Sequence, residues 1–197
     1  MGRPRTFDEP QVLRQAREAF HDHGYAGTSV EQLTAATGLQ RSSLYGAFGD
    51  KHGLFLRSFA QYCDEDMGLI EEELAGEDDG ALERIEGHMR SKIADPAASR
   101  RGCLLAKAAA ELAKEDPEVA QIATDSYAIY TRALTDCLRC AQAAGDARDD
   151  IDPEDGGDLL LAVLRGIESL GRAGYAKPRL EAIADAALTS LAAPDRD

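Results

Sequence analysis

The stretch from Thr28 to Lys51, TSVEQLTAATGLQRSSLYGAFGDK, constrains this chain more than any other, because it reads as two short helices joined by a tight turn with a third helix starting behind. Thr28 precedes Glu31 by three residues, the capping-box spacing in which a hydroxyl and a carboxylate satisfy orphan N–H groups. Gly38 stands where a left-handed residue ends a helix of about two turns. Leu39 plugs the turn. Gln40, Arg41, Ser42 and Ser43 then open the second helix with four hydrogen-bonding side chains and no acid among them, while Leu44 and Phe48 give it a side to bury. A helix that anchors one face and presents donors at its N-terminal end is what the major groove of DNA admits. The competing reading is plain helical packing, since two short helices joined at a glycine also occur in proteins that never touch DNA.

Two neighbours favour DNA. Upstream, Gly2-Arg3-Pro4-Arg5 is a short basic arm suited to a minor groove or a run of phosphates, which makes Arg3 and Arg5 candidate contacts. Downstream, Lys51 falls in the first turn of the next helix, behind an Asp50 cap. A cation there opposes the positive end of the helix dipole, and a phosphate bound in front of it would offset the misplacement.

Residues 7 to 59 resemble the DNA-binding domain of the tetracycline-repressor-like (TetR/AcrR) regulators. The resemblance runs through Ala19-Phe20, Gly24-Tyr25, Thr28-Ser29-Val30, Thr37-Gly38-Leu39, Ser43-Leu44-Tyr45, Phe48, Lys51 and Leu54-Phe55, dense and collinear. It implies an all-α fold of about nine helices. A three-helix DNA-binding domain with the helix-turn-helix occupies residues 1–50, and a larger helical effector-binding and dimerisation domain occupies residues 51–197. It implies further that Tyr45 and Lys51 grip phosphates, that Gln40, Arg41, Ser42 and Ser43 face bases, and that Thr28 belongs to the DNA-facing set. The last two helices would build a four-helix homodimer interface from Leu160, Leu164, Ile167, Leu180, Ala184, Ala187 and Leu191. The expected function is that of a ligand-responsive repressor, not an enzyme, which binds a pseudo-palindromic operator as a dimer and needs no cofactor or metal. One departure stands at Gly46, where many members carry a large aromatic or basic residue that also contacts DNA; its absence implies a smaller footprint.

A net charge of −14 argues against nucleic acid until it is divided along the chain. Residues 1–58 hold seven Lys or Arg and six Asp or Glu, a balance of +1, and the remainder holds fifteen against thirty, a balance of −15. The acid lies outside the reader, where it keeps the second domain off phosphates. The N-terminus shows no secretion signal and the longest apolar run, Leu159 to Leu164, ends at Arg165, so a cytoplasmic protein without a membrane partner is expected. Four cysteines without close histidines fit a reducing compartment better than a disulfide framework or a zinc site. His21 and His23 lie on different sides of one helical turn and form no metal pair.

Periodicity and caps place the remaining helices. The first is expected from Glu9 to His23, with Asp8 and Gln11 at box spacing, Phe7 stapled onto Val12 and Gly24 as the stop. The fourth runs from Asp50 to about Ala75, a fifth to Ile93 ahead of Asp95-Pro96, and a sixth from Arg100 to Ala113. Asp116-Pro117 and Asp152-Pro153 each start a helix by the same cap-then-proline logic, the first nearly thirty residues long. The second of these is apolar around much of its circumference from Leu159 to Leu170, with Gly166 and Gly171 allowing close approach, and a last helix spans about Arg179 to Ala192.

For a small, mainly apolar effector the polar handles are Tyr62, Cys103, Lys107, Glu111, Tyr127 and Tyr130, set among leucines. Lys107 and Glu111, four apart, also fit an exposed ion pair. The alternative from another class is a thiol-based sensor or oxidoreductase on Cys137 and Cys140. On a helix, residues three apart hold their Cβ atoms about 5 to 6 Å apart, and a disulfide needs about 3.5 to 4.5 Å, so the backbone would have to distort.

Overall fold

A computed structural model describes residues 7–94 and 101–194. Nine helices lie within the described residues: α1 Glu9–Gly27, α2 Val30–Thr37, α3 Arg41–Phe48, α4 Lys51–Leu74, α5 Ala81–Ala94, α6 Leu104–Leu112, α7 Pro117–Ala144, α8 Pro153–Arg172 and α9 Lys177–Leu191. The all-α expectation holds, and the only extended pairing among these residues is a single antiparallel bridge between Ala147 and Ala192. No helix among them is long and apolar enough to cross a membrane.

The chain divides into two compact units. Unit 1 combines residues 1–65 with 104–123, and unit 2 combines 66–103 with 124–197. Unit 1 thus takes in the first half of α4 and, from further along the chain, α6 and the start of α7.

In unit 1, α1 packs on α2 and α6, and α2 on α3. Asp8 accepts from Gln11 N (3.3 Å), so the expected cap stands. Phe7 meets the ring of Phe48, with centroids 6.3 Å apart. Gly24 does not end α1 but breaks it: with φ 74 and ψ 171 it turns the backbone before one more helical turn to Gly27. Phe20, Tyr25, Phe55 and Phe59 form the aromatic centre, Phe55 lying 5.1 Å from Phe20, 5.0 Å from Tyr25 and 5.6 Å from Phe59.

In unit 2, α8 and α9 pack against each other and both against α5. Asp152 caps α8 through Glu154 N (2.8 Å), as its sequence requires. The close approach between helices occurs at Gly156 and Gly157 rather than at Gly166, around which a side chain would meet nothing. A Cβ at Gly156 would lie 2.3 Å from Leu138, and one at Gly157 2.1 Å from Thr135 Oγ1, so α8 can lie against α7 only with hydrogen at both positions. The α9 helix begins two residues early, since Pro178 suits a first turn and needs no N–H partner there. Its end is tied back where Arg148 N donates to Leu191 O (2.9 Å) and Ala193 N to Asp146 O (2.8 Å).

Candidate nucleic-acid interface and effector region

The helix-turn-helix is built from α2 and α3. Its cap sits one residue later than Thr28 and Glu31 suggest: Ser29 Oγ accepts from Gln32 N (3.1 Å) and Gln32 Oε1 accepts from Ser29 N (2.6 Å), a complete capping box. Thr28 is instead buried, at 1% exposure, and its hydroxyl donates to Gly24 O (2.6 Å), so it serves the α1–α2 corner. Gly38 takes the left-handed conformation (φ 67) and closes α2 by donating to Thr34 O (3.0 Å).

Behind that turn Leu44 and Phe48 are buried, while Gln40, Arg41, Ser42 and Ser43 are all exposed. Gln40 occupies the N-cap of α3 without a side-chain cap bond. The Arg41 guanidinium lies 5.2 Å from the Tyr45 ring centroid, and Lys51 Nζ 4.5 Å from that of Tyr25. Both cations thus rest on aromatic faces that hold them without neutralising them. Asp50 caps α4 through Gly53 N (2.8 Å), as expected, which leaves Lys51 in the first turn. Gly46 is exposed, with nothing near the place its side chain would take. Arg3 and Arg5 lie outside the described residues.

The six expected effector residues are divided equally between the two units. Lys107 and Glu111 sit in unit 1. Lys107 Nζ donates to His21 O (2.7 Å), and Glu111 accepts from Tyr25 N (3.1 Å) and Ala26 N (2.8 Å). Together they bond backbone groups beside the break in α1 at Gly24, a structural task. Tyr62, also in unit 1, lies beneath the Arg17 guanidinium (5.7 Å) and beside His21 (6.3 Å).

Cys103, Tyr127 and Tyr130 sit in unit 2, around a group that sequence reasoning missed. Arg165 is largely buried; it donates to Cys103 Sγ (3.3 Å) and to Glu168 Oε1 (3.0 Å), and its guanidinium lies 5.2 Å from the Tyr130 ring centroid. Burial works to discharge Arg165, but Glu168, Cys103 and the two tyrosines outweigh it and its pKa is raised. Burial raises the pKa of Glu168 and of Tyr127. Tyr130, 1% exposed, shares a hydrogen bond with His88 Nε2 (2.5 Å), and His88 Nδ1 reaches Glu73 (2.8 Å). Burial lowers the His88 pKa against the pull of Glu73. Arg165 Nε and Glu168 Oε2 are buried and find no hydrogen-bond partner among the described residues. The signal that could have found this cluster is an arginine and a glutamate set three apart in the mainly apolar stretch from Leu159 to Leu170.

A groove of about 830 Å³ runs along Arg148–Asp150 and Ala192–Pro194, and a cleft of about 200 Å³ is lined by Glu71, Leu74, Arg132, Asp136, Cys137 and Cys140. Neither touches an expected effector residue. Cys137 is buried and donates to Ala81 O (3.3 Å); burial raises its thiol pKa, and burial with Asp78 raises that of Cys140. Neither is disposed to the thiolate that exchange chemistry needs. The expected dimer residues Leu160, Leu164, Ile167, Leu180, Ala184, Ala187 and Leu191 are each under 9% exposed in the single protomer. They fill its own core, and the outward face of α8 belongs to their neighbours, with Leu159 44% exposed.

Comparison with known proteins agrees with this architecture. Residues 12–57 match the family model of bacterial regulatory proteins of the tetR family, and residues 81–174 match that of the tetracyclin repressor-like C-terminal domain. The HTH-type transcriptional repressor AcnR of Corynebacterium efficiens is 30% identical over 198 residues, covering 96% of this chain and 98% of its own. The HTH-type transcriptional repressor ComR of Escherichia coli is 27% identical over 190 residues, covering 95% and 90%. Among solved structures, the TetR family regulator CifR, as a cysteine mutant complexed with a 26bp operator duplex, superposes with a TM-score of 0.79 at 30% identity over 95% of this chain and 99% of that one. With a capped helix-turn-helix in unit 1, an all-helical unit 2 and relatives matched along nearly their whole length, the chain belongs to the tetR family of bacterial transcriptional regulators.

Proposed function

We propose that the protein is a ligand-responsive repressor that binds a pseudo-palindromic operator as a homodimer and leaves it when a small, mainly apolar effector enters unit 2. The observation that carries the reading is the exposed row Gln40, Arg41, Ser42 and Ser43 at the start of a helix whose other side is buried. That row brings a fork-shaped donor, an amide and two hydroxyls to base edges, with Tyr45 and Lys51 flanking it toward the backbone. The matched AcnR and ComR chains are named repressors, and the CifR structure holds operator DNA. Two-fold binding sets the recognition helices about 34 to 36 Å apart, or a multiple of that.

The effector reading rests on the buried cluster of Cys103, Tyr127, Tyr130, Arg165 and Glu168. Two of its polar atoms find no partner among the described residues, and a ligand carrying one polar group among apolar surface would satisfy them. Genome-wide footprinting of the protein would supply the operator, and anisotropy titrations on that duplex and on random DNA would test the rest. Specific binding should exceed nonspecific binding by at least about 10³-fold. A ligand that lowers operator affinity must bind the operator complex more weakly by the same factor. Ligands that bind tightly without changing DNA affinity would leave a constitutive DNA-binding protein as the better description.

A further inference from the structure

His52, Asp116 and Glu118 come together in unit 1 although sixty-four residues separate the first two. His52 lies in the first turn of α4, directly after Lys51, and Asp116 and Glu118 stand at the start of α7. His52 Nε2 is 2.6 Å from Asp116 Oδ2, and one ligand atom from each of the three residues lies within 4.8 Å of the other two. Asp116 divides its oxygens: Oδ1 caps α7 through Glu118 N (3.1 Å) and Val119 N (3.2 Å), which fixes the carboxylate and turns Oδ2 toward the imidazole. The His52 ring is held edge-on against Tyr25, centroids 6.2 Å apart. His52 and Asp116 are half-buried and Glu118 is exposed, so the cluster is reachable from solvent.

We propose that these three residues form a binding site for a divalent transition-metal cation of the zinc type. One imidazole nitrogen and two carboxylate oxygens are donors that such a cation accepts, and an open side leaves room for water as the remaining ligand. Bonds of about 2.0 to 2.2 Å place tetrahedral ligands about 3.3 to 3.5 Å apart. The His52–Asp116 pair opens by less than 1 Å to meet that, and Glu118, on a flexible exposed side chain, closes toward them. Loading the site replaces a hydrogen bond between α4 and α7 with coordinate bonds across the same gap.

The chelator-treated full-length protein is titrated with Co²⁺, which reports its ligands optically, and with Zn²⁺ by competition against a chromophoric chelator. The expected result is one ion per chain, cobalt d–d bands without a thiolate charge-transfer band, and at least about tenfold weaker binding in both His52→Gln and Glu118→Gln. Glu118 is exposed, so Glu118→Gln keeps the fold, and circular dichroism checks it for His52→Gln. A thiolate band would assign the metal to the cysteines. That result, affinities unchanged in the two variants, or no binding at about 100 µM metal would overturn the proposal.

Discussion

Arg41 and Lys51 differ in what they can tell a duplex. Arg41 has a fork of donors at the exposed start of α3 and rests on Tyr45, so it reaches bases already oriented. Arg41→Ala should cost about 1 to 3 kcal/mol on the operator and much less on random DNA, read by anisotropy; equal losses would make it a phosphate contact. Lys51 is a point charge, so Lys51→Ala should weaken all sequences alike and flatten the salt slope by about one. His88 gives a pH signature. Burial holds its pKa below 6.5, so below that value the unfolded chain takes up a proton that the folded chain refuses. The stability this confers is present above about pH 6.5 and lost on acidification. Glu168, raised by burial, acts in the opposite sense, so the difference between wild type and His88→Asn isolates the histidine. The thermal midpoint of wild type should fall more than that of the variant between about pH 7.5 and 5.5. At this scale the sequence shows which residue types sit in the turn, yet it misplaces the cap at Thr28 for Ser29, because Thr-Ser offers two hydroxyls and only the corner at Gly24 decides between them.

Helix ends were legible wherever a cap and a proline coincide. Pro117 and Pro153 both follow an aspartate that accepts its helix's first N–H groups, as the local rule demands. Partnerships across the sequence were not legible. Lys107 and Glu111 look like an exposed pair at i, i+4, but the backbone of α1 claims each of them, and no periodicity could say so. Gly24→Ala should cost about 1 to 2 kcal/mol, from a left-handed backbone that alanine resists and a Cβ placed 3.0 Å from Glu111. Glu111→Ala should cost about 1 kcal/mol, and hydrogen exchange should rise at Tyr25 and Ala26 before other α1 amides. Unchanged protection there would remove Glu111 from the corner. The helices that meet a second protomer are expected from family membership, but their apolar stripes turn inward. Leu159→Glu should therefore halve the mass seen by light scattering to the 21.2 kDa of one chain while leaving the helical signal intact. Leu160→Glu, fully buried, should instead unfold the protomer.

For the molecule as a whole, the division of structure does not follow a single cut along the chain. Unit 1 takes residues 104–123 from beyond the middle of the sequence and uses them to hold His21, Tyr25 and His52. This orders events during synthesis. An elongating polypeptide of one hundred residues already contains all of α3, yet it lacks Lys107, Glu111 and Asp116, the groups that brace the helices behind it. Those twenty residues reach solvent only after most of the polypeptide has been translated, so the part of the protein made first is finished nearly last. A ribosome stalled before that point displays a recognition helix on an incomplete scaffold.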